Sequence, residues 1–315
     1  MIRYIIGRFM QMIVVLLLVS VAAFMLIHLV PGNPARVTLG VRASPSTVAR
    51  LDHQLGLDQP LLIQYWHFIS RAVTSFNFGT SFQTQQPVGS EIIQRSGASL
   101  LLISMSLLFS VIMAVPLGII AAIRRRTPVD NAIQIVPTLT MVMPSFWLAL
   151  LLVQVLSLRL GLLPTSGYGS TFPQHVLSLV LPAVTMALGL FPVLVRLLRS
   201  SVIEQMQSEY IEAARARGLS EARVMVKHVL RNSAVSTVTI LGLLAGLLLS
   251  ATVIVEQIFS IPGLGSLMVS AVGARDFPVV SALVLLFGAA VLIASLVTDL
   301  TYALLDPRVR LGARE

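Results

Sequence analysis

The 315-residue chain is 56% hydrophobic and only 11% charged, with a mean hydropathy of +0.89 and a net charge of +9 at pH 7. That composition excludes an ordinary soluble domain, and with so little polar surface the basic balance reads as membrane orientation rather than as a nucleic-acid footprint. The absence of cysteine excludes disulfides and thiolate metal sites.

A helix needs about 20 apolar residues to cross the roughly 30 Å hydrocarbon layer. Six charge-free runs qualify: 9–30, 96–123, 131–158, 175–195, 232–255 and 277–298. Arg3 and Arg8 precede the first, which lacks a clear small-x-small cleavage site before Pro31 and reads as a retained anchor. His28 lies near its outer end, where a histidine reaches interfacial water. Residues 31–95 form the one sizeable insertion. Within it "SPSTVARLDHQLGLDQPLLIQYWHFISRAV" predicts two short helices around a Gly-Leu-Asp-Gln-Pro turn, with Ser44 or Ser46 as cap, and "FNFGTSFQTQQPV" predicts a loop.

Arg124, Arg125 and Arg126 follow the second run; Arg196, Arg199, Arg215, Arg217, Arg223, Lys227 and Arg231 follow the fourth; Arg308, Arg310 and Arg314 end the chain. Basic residues in short loops mark the cytoplasmic side, so both termini are inside and 31–95 is outside. The runs contain Pro116, Pro137, Pro144, Pro182 and Pro192, which free backbone carbonyls and suit helices that line something wet or pack around kinks. Gly242 and Gly246 match a small-xxx-small packing pattern.

Catalytic constellations do not assemble from this sequence. It has no HExxH, GxSxG or GxxxxGK[ST] motif, and His28, His53, His67, His175 and His228 lack metal-ligand spacing. Asp299 reads as the sole intramembrane acid, close enough to the cytoplasmic boundary for a structural pairing with Arg308 or Arg310. Glu256, at the outer end of the fifth run, is a candidate cap or gate beside Pro262, Gly263 and Gly265. Thr138, Thr140, Thr185 and Ser250 are polar positions on middle helices whose facing the periodicity does not decide.

The segment "EYIEAARARGLSEARVMVKHVLRNS", from Glu209, is the departure from this apolar pattern. Tyr210, Ala213, Ala214 and Arg217 share a helical face, Glu212 and Arg215 are spaced to pair at i, i+3, and Gly218 supplies a left-handed stop. Ser220 and Glu221 are placed to cap a second helix, with Ala222, Met225, Val226, Val229 and Leu230 as its apolar stripe and Arg223, Lys227 and Arg231 as a basic one. Small side chains permit close approach of another protein surface, and acids alternating with bases suit a protein partner better than anionic lipid.

Glu212-Ala213-Ala214 followed by Gly218 resembles the EAA loop of binding-protein-dependent ABC importer permeases. "HLVPGNPA", "LGLDQPLLIQYWHFI", "LGLLPTSGYGS", "VEQIFSIPGLGSLM", "RDFPVV" and "YALLDPRVR" narrow the resemblance to B-type permeases of the dipeptide/oligopeptide/nickel branch, over nearly the whole chain. Arg231 departs from it, standing where many members have proline.

The resemblance implies an all-α polytopic membrane protein of the bacterial inner or plasma membrane. It carries six transmembrane helices, N-in and C-in, in one permease domain over 1–315 with the type I importer fold. The expected partners are a homologous C-type permease, one or two ABC ATPase subunits that bind ATP and Mg, an extracytoplasmic substrate-binding protein, membrane lipid and a peptide substrate. No cofactor is expected on this chain, and no nucleic acid. The hairpin, 199–231, would couple to the ATPase through Tyr210, Glu212, Ala213, Ala214, Arg217 and Gly218, while 31–95 and "IPGLGS" would meet the binding protein. Nickel or glutathione is an alternative substrate. A secondary transporter or channel would leave the hairpin unexplained, and an intramembrane enzyme lacks a constellation.

Overall fold

The structure, a computed structural model, describes residues 2–29, 44–55 and 58–305. Their regular structure is helical; among the described residues one isolated bridge, Thr80 with Pro87, is the sole pairing of extended backbone. In chain order the helices are α1 (Ile2–Leu29), α2 (Pro45–Leu55), α3 (Leu61–Ser75), α4 (Val88–Ile123), α5 (Pro128–Val142) and α6 (Ser145–Leu152). They continue with α7 (Phe172–Met206), α8 (Glu209–Ala216), α9 (Glu221–Val224), α10 (Arg231–Ile258), α11 (Leu264–Gly273) and α12 (Phe277–Leu305).

A helix satisfies its backbone polar groups internally, which lipid demands. Helices α1, α4, α7, α10 and α12 are long and apolar enough to cross. The third apolar run behaves differently. Helix α5 meets α6, extended by the π-helical stretch Val153–Arg159, at 110°. The cause is Pro144, which disfavours a helical conformation of the residue before it and leaves Met143 extended at φ −81°, ψ 130°. The expected six helices are therefore five crossings and one bent pair. Helix α4 also starts earlier than the apolar run, at Val88, because Glu91 and Arg95 interrupt hydropathy without interrupting helix.

Helix α7 is central. Its Leu179, Leu181, Phe191 and Leu194 pack with Leu102 of α4, with Leu248 of α10 and with Phe259 just past the end of α10. Without a hydrophobic driving force between helices in lipid, close approach carries the packing. Gly242 shows this: a Cβ there would overlap Thr298 of α12, and Gly246 next to it lies against Val291 and Ala294. Helix α1 packs on α12 and α3 and leaves Ile6, Met10, Ile13, Val14, Leu17 and Leu18 exposed.

Candidate functional site

The hairpin grows directly out of the central helix. Past Met206 the chain turns at Gln207 and Ser208 into α8, whose Ile211 and Ala214, three residues apart, are buried against Leu198 and Val202 of α7 and against Val224 and Val229. Tyr210, Glu212, Ala213, Arg217 and Gly218 are all exposed around this root. Of the expected coupling residues, Ala214 is thus turned inward as the root of the hairpin, while the other five lie on or beside its open face.

Gly218 adopts φ +77°, and two hydrogen bonds close the helix end around it: its own N–H donates to the Arg215 carbonyl at 2.9 Å, and that of Leu219 to Ala214 at 3.3 Å. This is a Schellman arrangement, which needs a left-handed residue where Gly218 stands. The turn also changes the ion pairing. Arg215 reaches across it to Glu221, with Nε and Nη2 at 2.8 and 3.2 Å from the two carboxylate oxygens, rather than pairing with Glu212. A bidentate fork outcompetes a single i, i+3 contact once the glycine brings Glu221 alongside. Ser220 occupies the N-cap without a side-chain cap bond.

Residues Met225–Leu230 are π-helical, which separates facing residues by five. Val224 and Val229 are accordingly buried together, whereas Ala222 and Val226 of the expected stripe are exposed. The wide turn also answers the Arg231 departure: Arg231 is helical, donates its N–H to the His228 carbonyl and continues without a break into α10. Tyr210 ties the hairpin's two ends, its hydroxyl donating to Gln205 Oε1 at 2.5 Å and accepting from Asn232 Nδ2 at 2.8 Å.

Beside the hairpin root lies a second cluster that the sequence reading missed. Asp130 in the first turn of α5 is buried and accepts two bonds from Arg199 of α7, at 2.7 and 2.6 Å, one from the Arg126 N–H at 3.0 Å and one from Gln134 at 2.8 Å. One turn earlier on α7, Arg196 donates to Thr138 of α5 at 3.1 Å. Helix α5 is therefore clamped to the stem of the hairpin. Next to the clamp, Asn131, Gln134 and Thr138 line a cleft of about 380 Å³. Thr140 bonds the Pro137 carbonyl, Thr185 is buried and bonded to Leu181, and Ser250 is exposed. Asp130 escaped notice because counting charge-free runs started the segment at 131, one residue too late.

At the C-terminal end of α10 the candidate loop is held from within. Glu256 is wholly buried; Ser99 donates to its Oε1 at 2.6 Å and the Ser266 N–H to its Oε2 at 3.0 Å, while the Leu264 N–H donates to Ser99. Gly263 leaves room for that carboxylate, and Gly265 lets the loop touch the Val253 backbone; a Cβ at either would overlap them. Pro262 precedes this close approach. Asp276, unremarked in "RDFPVV", does the same for the 76–87 loop, accepting from Ser81 Oγ at 2.5 Å and from the N–H groups of Phe82 and Gln83 at 3.1 and 3.2 Å. The Gly167 N–H donates to the Phe259 carbonyl at 2.8 Å, pinning a third loop. The geometry makes Glu256 a staple of the loop.

Asp299 forms its ion pair with Arg8 of α1 at 3.2 Å. The expected partners Arg308 and Arg310 lie outside the described residues. His28 contacts Gln64 of α3 at 3.1 Å.

Residues 114–311 match the family model described as the binding-protein-dependent transport system inner membrane component, and residues 1–106 match that of the N-terminal part of such membrane components. The glutathione transport system permease protein GsiC of Escherichia coli (strain K12) is 39% identical over 310 residues, covering 98% of this chain and 99% of the relative. GsiC of Salmonella typhi matches to the same extent. Among solved structures, the inward-facing MetNI methionine ABC transporter superposes with a TM-score of 0.55 at 16% identity, over 68% of this chain and 96% of that one, a likeness of fold.

Proposed function

The chain belongs to the binding-protein-dependent transport system inner membrane components, as a permease subunit of an ABC importer, and from that premise we propose that it forms half of the passage for short peptides. Membership implies a partner permease, an ATPase and a substrate-binding protein. The ATP and Mg of the cycle belong, in this reading, to the ATPase partners. The single observation that carries the substrate class is the 39% identity to a glutathione permease along 98% of the chain. Glutathione is a tripeptide, so dipeptides, oligopeptides and glutathione share charged ends and amides that cannot cross lipid at low cost and need a polar route.

In this reading Glu212, Ala213, Arg217 and Gly218, with Tyr210 at the base, meet the ATPase, and Ile211 and Ala214 root that contact in the end of α7. Displacement of the root moves Arg199, and through Asp130 it moves α5 and the polar edge at Asn131, Gln134 and Thr138. Two states of a helix pair joined this way give alternating access without an ion site in this chain. On the outside, the loops held by Glu256 and Asp276 offer a firm surface to the binding protein, as rigid elements favour a reproducible contact.

The test is to purify the complex, identify its subunits, and titrate its binding protein with dipeptides, longer peptides, glutathione and nickel by calorimetry, followed by uptake in proteoliposomes. Saturable binding and ATP-dependent uptake of a peptide or of glutathione is expected. Binding of nickel alone would replace the peptide reading, and uptake by this chain without an ATPase would overturn the importer reading.

A further inference from the structure

Helix α3 lies in the insertion that the arginine asymmetry places outside the membrane, yet one of its faces is apolar and uncovered. At 3.6 residues per turn, Leu62, Trp66, Ile69 and Val73 fall on one stripe. Leu62 is 83% exposed, Val73 78% and Trp66 68%. A second stripe, Tyr65, Phe68 and Ala72, faces α1: the Tyr65 hydroxyl bonds Ser20 at 2.7 Å, and the Phe24 ring lies 5.5 Å from that of Tyr65 and 6.1 Å from that of Phe68. The third side carries His67, Arg71 and Thr74, all exposed. The helix contains no acid and one arginine.

These contacts fix its depth. His28 marks the polar outer end of α1, its imidazole 3.1 Å from Gln64 near the start of α3, and Ser20 lies eight residues inside it, roughly 12 Å at 1.5 Å per residue. Phe24 lies four residues inside His28, roughly 6 Å. Helix α3 thus crosses α1 at the boundary between hydrocarbon and headgroups. Interfacial helices bury an apolar face about 5–10 Å into that boundary, and Trp and Tyr concentrate there.

We propose that α3 is an interfacial helix whose Leu62, Trp66, Ile69 and Val73 stripe is seated in the outer leaflet of the bilayer. Lipid is the occupant because the stripe lies at the depth of the acyl boundary and beside the exposed apolar surface of α1. The polar third, His67, Arg71 and Thr74, faces headgroups and water. The insertion is then a shelf resting on the membrane, which sets the height of the 76–87 loop attached to its end. This holds whichever solute the importer carries.

The chain has no cysteine, which makes the test direct. Single replacements Leu62→Cys, Trp66→Cys, Val73→Cys, His67→Cys, Arg71→Cys and Thr74→Cys would carry a nitroxide label, in the whole complex with partner subunits free of reactive thiols. The complexes would be reconstituted in vesicles of phosphatidylethanolamine and phosphatidylglycerol. Collision rates with oxygen, which partitions into lipid, and with a water-soluble nickel chelate are read by spin resonance. At 62, 66 and 73 the expected result is high oxygen and low chelate accessibility, at least about tenfold apart in ratio from 67, 71 and 74. High chelate accessibility at 62, 66 and 73 would place the stripe in water and overturn the proposal. Low accessibility to both reagents would mean that a protein partner covers it, and would overturn the proposal equally. Six independent positions keep the pattern readable if Trp66→Cys fails to assemble.

Discussion

Asp130 has both oxygens engaged, by Arg199, Arg126 and Gln134, so removing it strands a guanidinium at the junction of α5 and α7. Breaking a buried pair from one side costs about 3–5 kcal/mol, and the lower end applies because the Arg199 side chain is 21% exposed. Asp130→Ala is therefore expected to lower the thermal midpoint of the complex, and Asp130→Arg combined with Arg199→Asp to recover part of that loss. Equal midpoints for Asp130→Ala and the native complex would remove the clamp from the coupling route. Glu256 presents the same logic near the C-terminal end of α10. Glu256→Ala orphans the Ser266 N–H and the Ser99 hydroxyl, at about 1–3 kcal/mol for each buried donor, and should loosen the 260–266 loop. Faster hydrogen exchange confined to that loop, Leu264 included, is the expected readout.

At the scale of elements, a proline that is present and one that is absent have opposite outcomes. Pro144 bends a segment whose composition alone resembles any other span, because hydropathy reports burial and length but not direction. At 231 arginine stands in place of a proline, and the π-helical stretch Met225–Leu230 passes into α10 without a break. Spacing at i, i+3 made Glu212 the obvious mate of Arg215; the mate is Glu221, because a turn in three dimensions overrides neighbourhood along one helix. Arg215→Glu should accordingly be rescued by Glu221→Arg and not by Glu212→Arg, measured as the fraction of ATPase retained on purification. Rescue by the Glu212 change would contradict the observed pairing.

For the molecule as a whole, what was legible followed from one-dimensional signals. Apolar runs mark helices long enough to cross, and Gly218 marks the end of α8 at its observed left-handed turn. The clamps were not legible. Asp130 and Arg199 are 69 residues apart, Ser81 and Asp276 are 195, and Ser99 and Glu256 are 157. No local pattern joins such partners, and a carboxylate at the edge of an apolar run looks like an ordinary interfacial charge until its neighbours are placed. Asp299 illustrates the same limit, having Arg8 from the other end of the chain as partner.

The proposed coupling through residues 209–218 unites these scales, and Gly218→Val tests it. A β-branched side chain at φ +77° is strained by about 1–2 kcal/mol or more, enough to distort the turn while Ile211 and Ala214 still anchor α8. The decisive measurement is binding-protein-stimulated ATP hydrolysis and solute uptake by the reconstituted complex, native against Gly218→Val, at matched subunit composition. Loss of both stimulation and uptake, by at least about tenfold (about 1.4 kcal/mol), is the expected result. Uptake and stimulation at native rates would contradict the assignment of this hairpin as the element through which ATP hydrolysis drives the passage.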